Sequence, residues 1–526
     1  MPDLAVSPDL TRRQLLRGAA AVGGLAGSGV LLLELLHDSP GPRGIDSFAD
    51  RPAGPARAFR SQPDLRPPTV TATFTGGIPG LERPDSDDPS GYVFLGPGPV
   101  SLSGTQQYGP LIVDRRGEPV WFRPLPSGVE VTNFSTSTYR GEPVLMWWEG
   151  SIQGSGYGQG EAVIVDRAYR EVARVRAARG RSMDLHALWL TPEGTALFTC
   201  YPDIVDADLS PLGGPRRAPV FESIIQEVDV ATGRLLLEWH SLSHIPVSDS
   251  YMPIMNPALK QNPSRKWPYD YLHINSIGPT RDGELLVSGR FAWAFYKLER
   301  HTGRVRWKLG GKQSDFRMGH GAQFTWQHDA REVAAGVFTV FDNGSNGYTN
   351  TESQSRGLML DVDETRRVVS LRRAYTSPKQ LATSMGSVQV LPSGRVIVGW
   401  GTASHTTEFD SDGAALFDVG LPSGMYSYRG VWSSWASSPH HRPAVAAGLD
   451  PDTGAKLVYA SWNGATGVTG WRVDAGLRGD ELSTIGIARR RGFETVVPLH
   501  QDFRYAAVTA VDPAGTALAR SHTIAL

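Results

Sequence analysis

Short apolar runs separated by turns recur along most of the chain. One repeated pattern is an apolar run, a turn containing Asp and usually Gly, and a second apolar run. It occurs as LIVDRRGEPVWF (111–122), VIVDRAYREVARV (163–175), QEVDVATGRLLLEW (226–239), YKLERHTGRVRWKL (296–309), LMLDVDETRRVVSL (358–371) and TEFDSDGAALFDV (407–419). Six such patterns, about 50 to 70 residues apart, predict repeated β-hairpins.

A second hairpin pattern precedes most of these units. It reads STYRGEPVLMWWEG (137–150), LTPEGTALFTCY (190–201), GPTRDGELLVSGR (278–290), REVAAGVFTVFDNG (331–344) and LPSGRVIVGWG (391–401). Two hairpins give four strands per unit, so the sequence predicts an all-β fold containing a six-bladed β-propeller. A strand from MYSYRGVW (425–432) is expected to complete the first unit and close the ring.

The segments outside the repeats suggest three further regions. Arg12 and Arg13 precede an apolar stretch from 18 to 36, which is the layout of a twin-arginine export signal. A plain amphipathic or anchoring segment is the alternative. Residues 37–67 are interpreted as a linker, 68–439 as the propeller, and 440–526 as a small β-sandwich-like, fibronectin-III-like domain. We therefore expect an exported protein, extracellular or associated with the cell envelope, whose signal is cleaved or retained.

Composition narrows the function classes. The chain has 526 residues, 40% hydrophobic and 20% charged, with a formal net charge of −1, and this balance does not indicate a nucleic-acid partner. The single cysteine, Cys200, rules out an internal disulfide and zinc sites built on several cysteines. There is no P-loop, no GxGxxG after a strand and no GxSxG elbow, which argues against nucleotide-dependent transfer and α/β-hydrolase chemistry.

Three histidines fall at one phase of the repeat. His186 and His328 lie eight residues before the turn glycines Gly194 and Gly336, and His273 lies ten before Gly283. This phase is the start of the innermost strand, so in a propeller the three should converge at one mouth of the central channel. Arg290, which closes LLVSGR, is expected nearby.

This set of side chains suggests anion chemistry. A guanidinium and imidazole N–H groups suit a tetrahedral oxyanion, and a neutral histidine is a competent nucleophile toward sulfur or phosphorus. Three alternatives stay open: core histidines, an exposed salt-bridged arginine, and a metal site on the three histidines. Asp184 and Asp329 lie close in sequence, but the neighbouring arginine would repel a cation.

Several motifs together resemble the bacterial arylsulfotransferases (arylsulfate sulfotransferases), in their actinobacterial-type branch. They are DLHALWLTPEGTAL, DYLHINSI, LLVSGR, WKLGG, FTWQHDA, VFDNG and SVQVLPSGRVIVGWG, in this order, with YASWNGAT further on. The similarity covers about residues 90 to 440.

The resemblance implies sulfuryl transfer between phenols, without a nucleotide donor and without a cofactor. His328 matches the histidine that becomes transiently sulfated. His186, His273 and Arg290 match residues that hold sulfuryl oxygens and assist proton movement. Phenolic sulfate donors and phenolic acceptors are the implied partners, and Trp147, Trp148, Trp293 or Trp326 are candidates to stack on their rings.

The chain also departs from the family pattern. The segment from Arg290 to His328 is shorter than in the enterobacterial enzymes, and the lone Cys200 excludes the disulfide of some relatives. Two other function classes stay open: a non-catalytic extracellular propeller that binds a ligand, and a metal-dependent enzyme on the same histidines. The physiological donor and acceptor and the oligomeric state do not follow from the sequence.

Overall fold

The computed structural model describes residues 58–74, 91–99, 107–256, 261–377 and 380–526. These residues form antiparallel sheets, with short 3₁₀ helices at Ser210–Leu212, Ser241–Ser243, Val247–Asp249 and Gly401–Ala403, so the expected all-β class is confirmed. The proposed signal (1–36) and most of the proposed linker lie outside the described residues. None of the helices in the described part of the chain is long and apolar enough to cross a membrane.

The strands between residues 71 and 240 form the N-terminal part of the repeat. They are β1 (Thr71–Phe74), β2 (Tyr92–Pro99), β3 (Leu111–Val113), β4 (Pro119–Phe122), β5 (Glu130–Tyr139), β6 (Glu142–Ile152), β7 (Gly158–Val165), β8 (Glu171–Val175), β9 (Met183–Leu190), β10 (Thr195–Ala207), β11 (Ala218–Asp229) and β12 (Leu235–His240). Strands β5 to β8 and β9 to β12 pair in sequence as two antiparallel units, joined by one bridge between β7 and β9.

The next strands continue the same pattern. They are β13 (Tyr269–Asp270), β14 (Ile274–Pro279), β15 (Leu285–Gly289), β16 (Ala294–Leu298), β17 (Val305–Gly310), β18 (Arg317–Met318), β19 (His328–Ala334), β20 (Val337–Asp342), β21 (Arg356–Asp363), β22 (Val368–Tyr375), β23 (Ser387–Val390), β24 (Val396–Gly399), β25 (His405–Phe409), β26 (Ala415–Gly420) and β27 (Met425–Ser433). Strands β14 to β17, β19 to β22 and β23 to β26 are three more four-stranded units, while β13 and β18 are short parallel additions to β11 and β22.

The two ends of the repeat are joined because each contributes a strand to a sheet of the other. The late strand β27 pairs with β2, from Tyr92 opposite Ser433 to Pro99 opposite Met425, and completes a sheet with β3 and β4. The expected strand near 425–432 is thus confirmed. In return, β1 pairs with β26 at the outer edge of the last unit.

Six strands from neighbouring sheets, here called the innermost strands, contact one another in a cycle. The order is β27, β5, β9, β14, β19, β23 and back to β27. Residues at the start of β9, β14 and β19 therefore come close although they belong to different sheets. This arrangement positions the candidate site.

The sheets are covered on both faces by their neighbours, which explains their continuous apolar strands. Leu197 of β10 shares one buried cluster with Ile277 and Val287 of the following unit. Leu286, one residue before Val287, faces the other way and packs with Phe338. Because side chains alternate along a strand, each unit fills the core on both of its sides.

The last strands form two sheets with a common core. They are β28 (Ala444–Leu449), β29 (Lys456–Ser461), β30 (Gly470–Arg478), β31 (Glu481–Arg489), β32 (Glu494–Pro498), β33 (Tyr505–Val511), β34 (Ala517–Arg520) and β35 (Ile524–Ala525). One sheet is β28-β29-β32 and the other is β31-β30-β33-β34, with β35 beside β33. Val458, Trp471 and Val508 from both sheets lie in one buried cluster.

Candidate functional site

The structure brings the three sequence-predicted histidines into one buried cluster. His186 lies in β9, His273 directly precedes β14, and His328 is the first residue of β19. The rings of His186 and His273 have centroids 4.7 Å apart in an edge-to-face contact. The Tyr428 ring lies 5.9 Å from that of His186 and 6.2 Å from that of His328, so it links the third histidine to the pair.

Arg290 is in the same cluster and is not a surface residue. It follows β15, is 8% exposed, and its backbone N–H donates to the carbonyl of His273 (3.1 Å). Its Nη2 donates to the Thr383 carbonyl (2.6 Å), while its Nε has no hydrogen-bond partner among the described residues. Burial lowers the pKa of Arg290 to about 10, which still leaves it charged at neutral pH.

Each histidine has a fixed partner at Nδ1. Asp184 Oδ2 lies 2.6 Å from His186 Nδ1, and Asp270 Oδ2 lies 2.6 Å from His273 Nδ1. For His328 the partner is the amide oxygen of Asn343, at 2.7 Å. These partners orient the rings, and on the other side of the His328 ring Nε2 accepts from the backbone N–H of Met385 (3.2 Å).

Burial and nearby cations keep two of the rings neutral. Burial, with His186 and Arg290 close by, holds the pKa of His273 well below its usual range. Burial and the Arg290 guanidinium do the same to the pKa of His328. A neutral imidazole retains the lone pair that a nucleophile requires.

Two buried tyrosines complete the cluster. The Tyr157 ring contacts His273 at 4.7 Å and His186 at 5.4 Å, and its hydroxyl donates to Asp270 (3.1 Å). Tyr428 is 2% exposed. With the three rings exposed by 2 to 6%, the site is closed around its histidines.

The burial of Asp270 predicts a stability that depends on pH. Burial raises the pKa of Asp270 to about 7. A carboxyl group whose pKa is raised in the folded state contributes stability while it is protonated. This contribution is fully present below the pKa of the unfolded state, near 4, and it is lost as the pH rises through the folded-state pKa of about 7. We therefore expect Asp270→Asn to gain stability relative to the wild type between about pH 5 and pH 8, by on the order of 2 kcal/mol.

Thermal unfolding across that pH range measures this effect. Asp480→Asn, at an aspartate whose side chain is 73% exposed, is the control and should show a constant difference from the wild type. A pH-independent difference for Asp270→Asn would contradict the assignment.

Sequence reasoning missed the residues that hold the histidines. Asp184 accepts from Gly158 N (2.7 Å) and the Thr199 hydroxyl (3.1 Å) as well as facing His186. The spacings D-x-H at 184–186 and D-x-x-H at 270–273 were visible signals. Asn343 lies in the VFDNG motif, but the sequence did not show its contact with His328, because it lies fifteen residues away across a hairpin.

The four candidate tryptophans divide into two pairs. Trp147 and Trp148 are fully buried, and their indole N–H groups donate to Glu149 and to the Met183 carbonyl. Trp293 and Trp326 instead pack edge-to-face with centroids 5.0 Å apart, and neither indole N–H has an acceptor among the described residues. Trp326 also contacts Phe291, whose ring lies 4.7 Å from His273.

The backbone near the cluster adopts a strained conformation. His273, Trp326, Asp329 and Met385 have φ values of 53°, 54°, 54° and 65°, in the left-handed region that L-residues rarely occupy. Such strain persists only where surrounding contacts enforce it, and it is common at functional sites. His328 lies between two of these residues.

Asp329 points away from the histidines into a second charged network. Its Oδ1 accepts from Arg331 Nε (3.0 Å) and Arg429 Nε (3.1 Å), and Arg429 also donates to Asn133 and to the His186 carbonyl (3.2 Å). These four side chains border a cavity of about 380 Å³ that the later parts of the innermost strands enclose. None of the three histidines lines it, so this cavity is separate from the cluster.

The described residues contain no group of three or more His, Cys, Asp or Glu side chains arranged to hold a metal ion. Asp184 and Asp270, the carboxylates nearest the histidines, are each hydrogen-bonded to an Nδ1 atom. Cys200 is buried in the core, and burial raises the pKa of its thiol.

Comparison with known families decides the relationship. The family model for Arylsulfotransferase (ASST) matches residues 136–420, more than half of the chain. This chain belongs to the arylsulfotransferase family. The three histidines and Arg290 lie within the matched segment, and Tyr428 lies just beyond it. Membership supports arylsulfotransferase activity in general and implies phenolic small molecules as substrates.

Other comparisons of this arylsulfotransferase-family chain give distant likenesses. Among curated proteins, none matches. A solved protein of unknown function from Bacteroides caccae is 14% identical, with a TM-score of 0.38, over 65% of this chain and 98% of that one. A streptogramin B lyase is 12% identical, with a TM-score of 0.33, over 74% and 94%. Virginiamycin B lyase from Staphylococcus aureus is 8% identical, with a TM-score of 0.24, over 64% and 83%.

Proposed function

We propose that the protein transfers a sulfuryl group from a phenolic sulfate ester to a phenolic acceptor by a ping-pong mechanism, without a nucleotide sulfate donor. His328 would carry the group between the two substrates. The observation that carries this proposal is the buried cluster of three imidazoles and one guanidinium, since it combines a neutral nucleophile with donors for an oxyanion. Family membership supports the same chemistry.

The first half-reaction begins when the Met385 N–H releases His328 Nε2, which accepts from it in this structure (3.2 Å). The Nε2 lone pair attacks sulfur, the bond from sulfur to the aryl oxygen breaks, and the electron pair leaves on the phenolate. Sulfuryl transfer, like phosphoryl transfer, is expected to have a loose transition state, so positioning and charge stabilisation matter most. The Nε of buried Arg290, which has no partner within the described part of the chain, is the donor proposed for the sulfuryl oxygens.

His186 and His273 are proposed to move protons. The leaving phenolate needs a proton, and the incoming phenol must lose one. Asp184 and Asp270 contact these rings at Nδ1, which lets each pair hold or release a proton on the Nε2 side. Because the rings are nearly enclosed, side chains around the cluster must move when the donor binds. Trp293 and Trp326 are the proposed aryl-ring contacts.

The architecture that we propose for this activity is a six-bladed β-propeller spanning 68–439, followed by a fibronectin-III-like domain over 440–526. The cycle of contacts among the innermost strands supports the first, and the two sheets around Trp471 support the second. Residues 1–36 are proposed as a twin-arginine export signal and 37–67 as a linker. The mature protein would then work outside the cytoplasm.

The decisive test uses purified protein with 4-nitrophenyl sulfate. The proposal expects nitrophenol release that requires an added phenol, needs no nucleotide and survives a chelator. With donor alone, the intact mass should rise by one sulfuryl group, located on His328 by fragmentation. Turnover without that adduct would contradict the ping-pong route. Loss of activity on chelation would favour a metal enzyme, and no release with any phenol pair would favour a ligand-binding propeller.

A further inference from the structure

The three histidines differ in the chemical nature of the group at Nδ1. His186 and His273 face carboxylates, Asp184 and Asp270, whereas His328 faces the neutral amide of Asn343. All three contacts are between 2.6 and 2.7 Å. A carboxylate stabilises a protonated ring and can take a proton from it, while an amide oxygen is far too weak a base to do so.

The orientation of the Asn343 amide is determined by its other contacts. Its Nδ2 donates to the carbonyls of Ala382 (2.9 Å) and Met385 (3.0 Å). The oxygen must therefore face His328, and only an N–H at Nδ1 can satisfy it. A flipped amide would leave two buried carbonyls without donors.

The other ring nitrogen of His328 is constrained in the opposite sense. The backbone N–H of Met385 donates to His328 Nε2 (3.2 Å), so Nε2 carries a lone pair and no proton. Both sides of the ring thus require the Nδ1–H tautomer. This hydrogen bond must break before Nε2 can bond to sulfur.

We propose that Asn343 is a positioning residue that keeps sulfated His328 cationic and therefore reactive. This inference rests on the proposed function. When the bond from Nε2 to sulfur forms, the ring gains a positive charge and Nδ1 keeps its proton, since Asn343 cannot accept it. When the acceptor oxygen attacks sulfur, the bond to Nε2 breaks and its electron pair returns to a neutral imidazole. A cationic ring is the better leaving group.

The substitution Asn343→Asp tests this division of roles. A carboxylate at 343 would share the Nδ1 proton, neutralise the sulfated ring and slow its discharge to the acceptor. We expect a burst of about one equivalent of nitrophenol, steady-state turnover slower by about tenfold or more, and accumulation of the sulfated protein. The acidic limb of the burst rate should also shift to higher pH, because a carboxylate raises the pKa of its imidazole partner.

Asn346→Asp is the matched control. Asn346 lies three residues away, is buried, and accepts from Tyr348 N and Thr349 N rather than from a histidine. It should retain the wild-type ratio of burst to steady-state rate. An unchanged ratio in Asn343→Asp, with a normal adduct in the wild type, would overturn this inference alone. Absence of the adduct in the wild type would overturn the proposed function as well.

A measurement on the wild type covers the case in which Asn343→Asp does not fold. The Ala382 and Met385 carbonyls lose their amide donors in that variant, so a folding defect is a foreseeable result. In the intact protein labelled with ¹⁵N-histidine, NMR shifts report the tautomer of His328, assigned by its loss in His328→Ala. The Nδ1–H form is expected, and the Nε2–H form would overturn the inference.

Discussion

Replacing His328 with alanine is expected to lower acceptor-dependent cleavage of 4-nitrophenyl sulfate by roughly 10⁴-fold and to abolish the sulfated adduct. The ring supplies the attacking lone pair, and it is the ring of the three whose Nδ1 faces an amide oxygen and not a carboxyl group. Steady-state rates and intact mass, measured on the same preparations, check both effects.

Rescue of His328→Ala by free imidazole tests the assignment more specifically than the loss of activity does. Removing the ring leaves a cavity beside the Asn343 amide oxygen and the Met385 N–H, which hold the wild-type ring from both sides. Added imidazole should enter this cavity and restore part of the nitrophenol release without any protein adduct. The control is His405→Ala, which should keep its activity. His405 lies in β25 and is hydrogen-bonded to Asp418 of β26. Equal losses in both variants would indicate general damage and contradict the assignment.

The histidines were predictable because their positions follow the repeat. In a cyclic arrangement, equal phase in the repeat means proximity in space, so the sequence alone relates His186 and His328 through Gly194 and Gly336. The order of the strands predicted the position of Arg290. It directly follows β15, the strand after β14, and β14 begins beside His273. The phase of a residue within a repeat can be read from the sequence alone, so it does not require the tertiary contacts.

The partners of these residues were not predictable in the same way. Asn343 reaches His328 across a hairpin, and Arg429 reaches Asp329 only because β27 returns to close the cycle. The tryptophans show the same limit. Trp147 and Trp293 both lie in apolar stretches of the sequence. The direction of the Trp147 side chain from its strand and the packing of the neighbouring sheets bury it fully, and its N–H donates to Glu149.

Asp329→Ala is expected to lower the free energy of unfolding by about 3 to 5 kcal/mol, a range typical of breaking a buried ion pair. Asp329 is 7% exposed as a side chain, and it faces Arg331 at 2.9 Å and Arg429 at 3.1 Å. Burial alone would raise the pKa of Asp329, but the two guanidinium groups outweigh it and lower the pKa. Removing the carboxylate takes the shared acceptor from Arg429, which is buried, and from Arg331, which is partly buried.

Backbone strain is the competing explanation for such a loss, and a glycine variant separates the two. At φ 54° a β-carbon is unfavourable for alanine, whereas glycine adopts this conformation freely and asparagine tolerates it. If charge dominates, Asp329→Gly is about as unstable as Asp329→Ala, and Asp329→Asn is intermediate because it keeps an acceptor. If strain dominates, the glycine variant recovers most of the loss. Chemical denaturation followed by tryptophan fluorescence measures the stability of all three variants. Combining Arg331→Ala with Asp329→Ala should be less destabilising than the sum of the single changes, because Arg331→Ala removes one of the two cations that have lost their carboxylate.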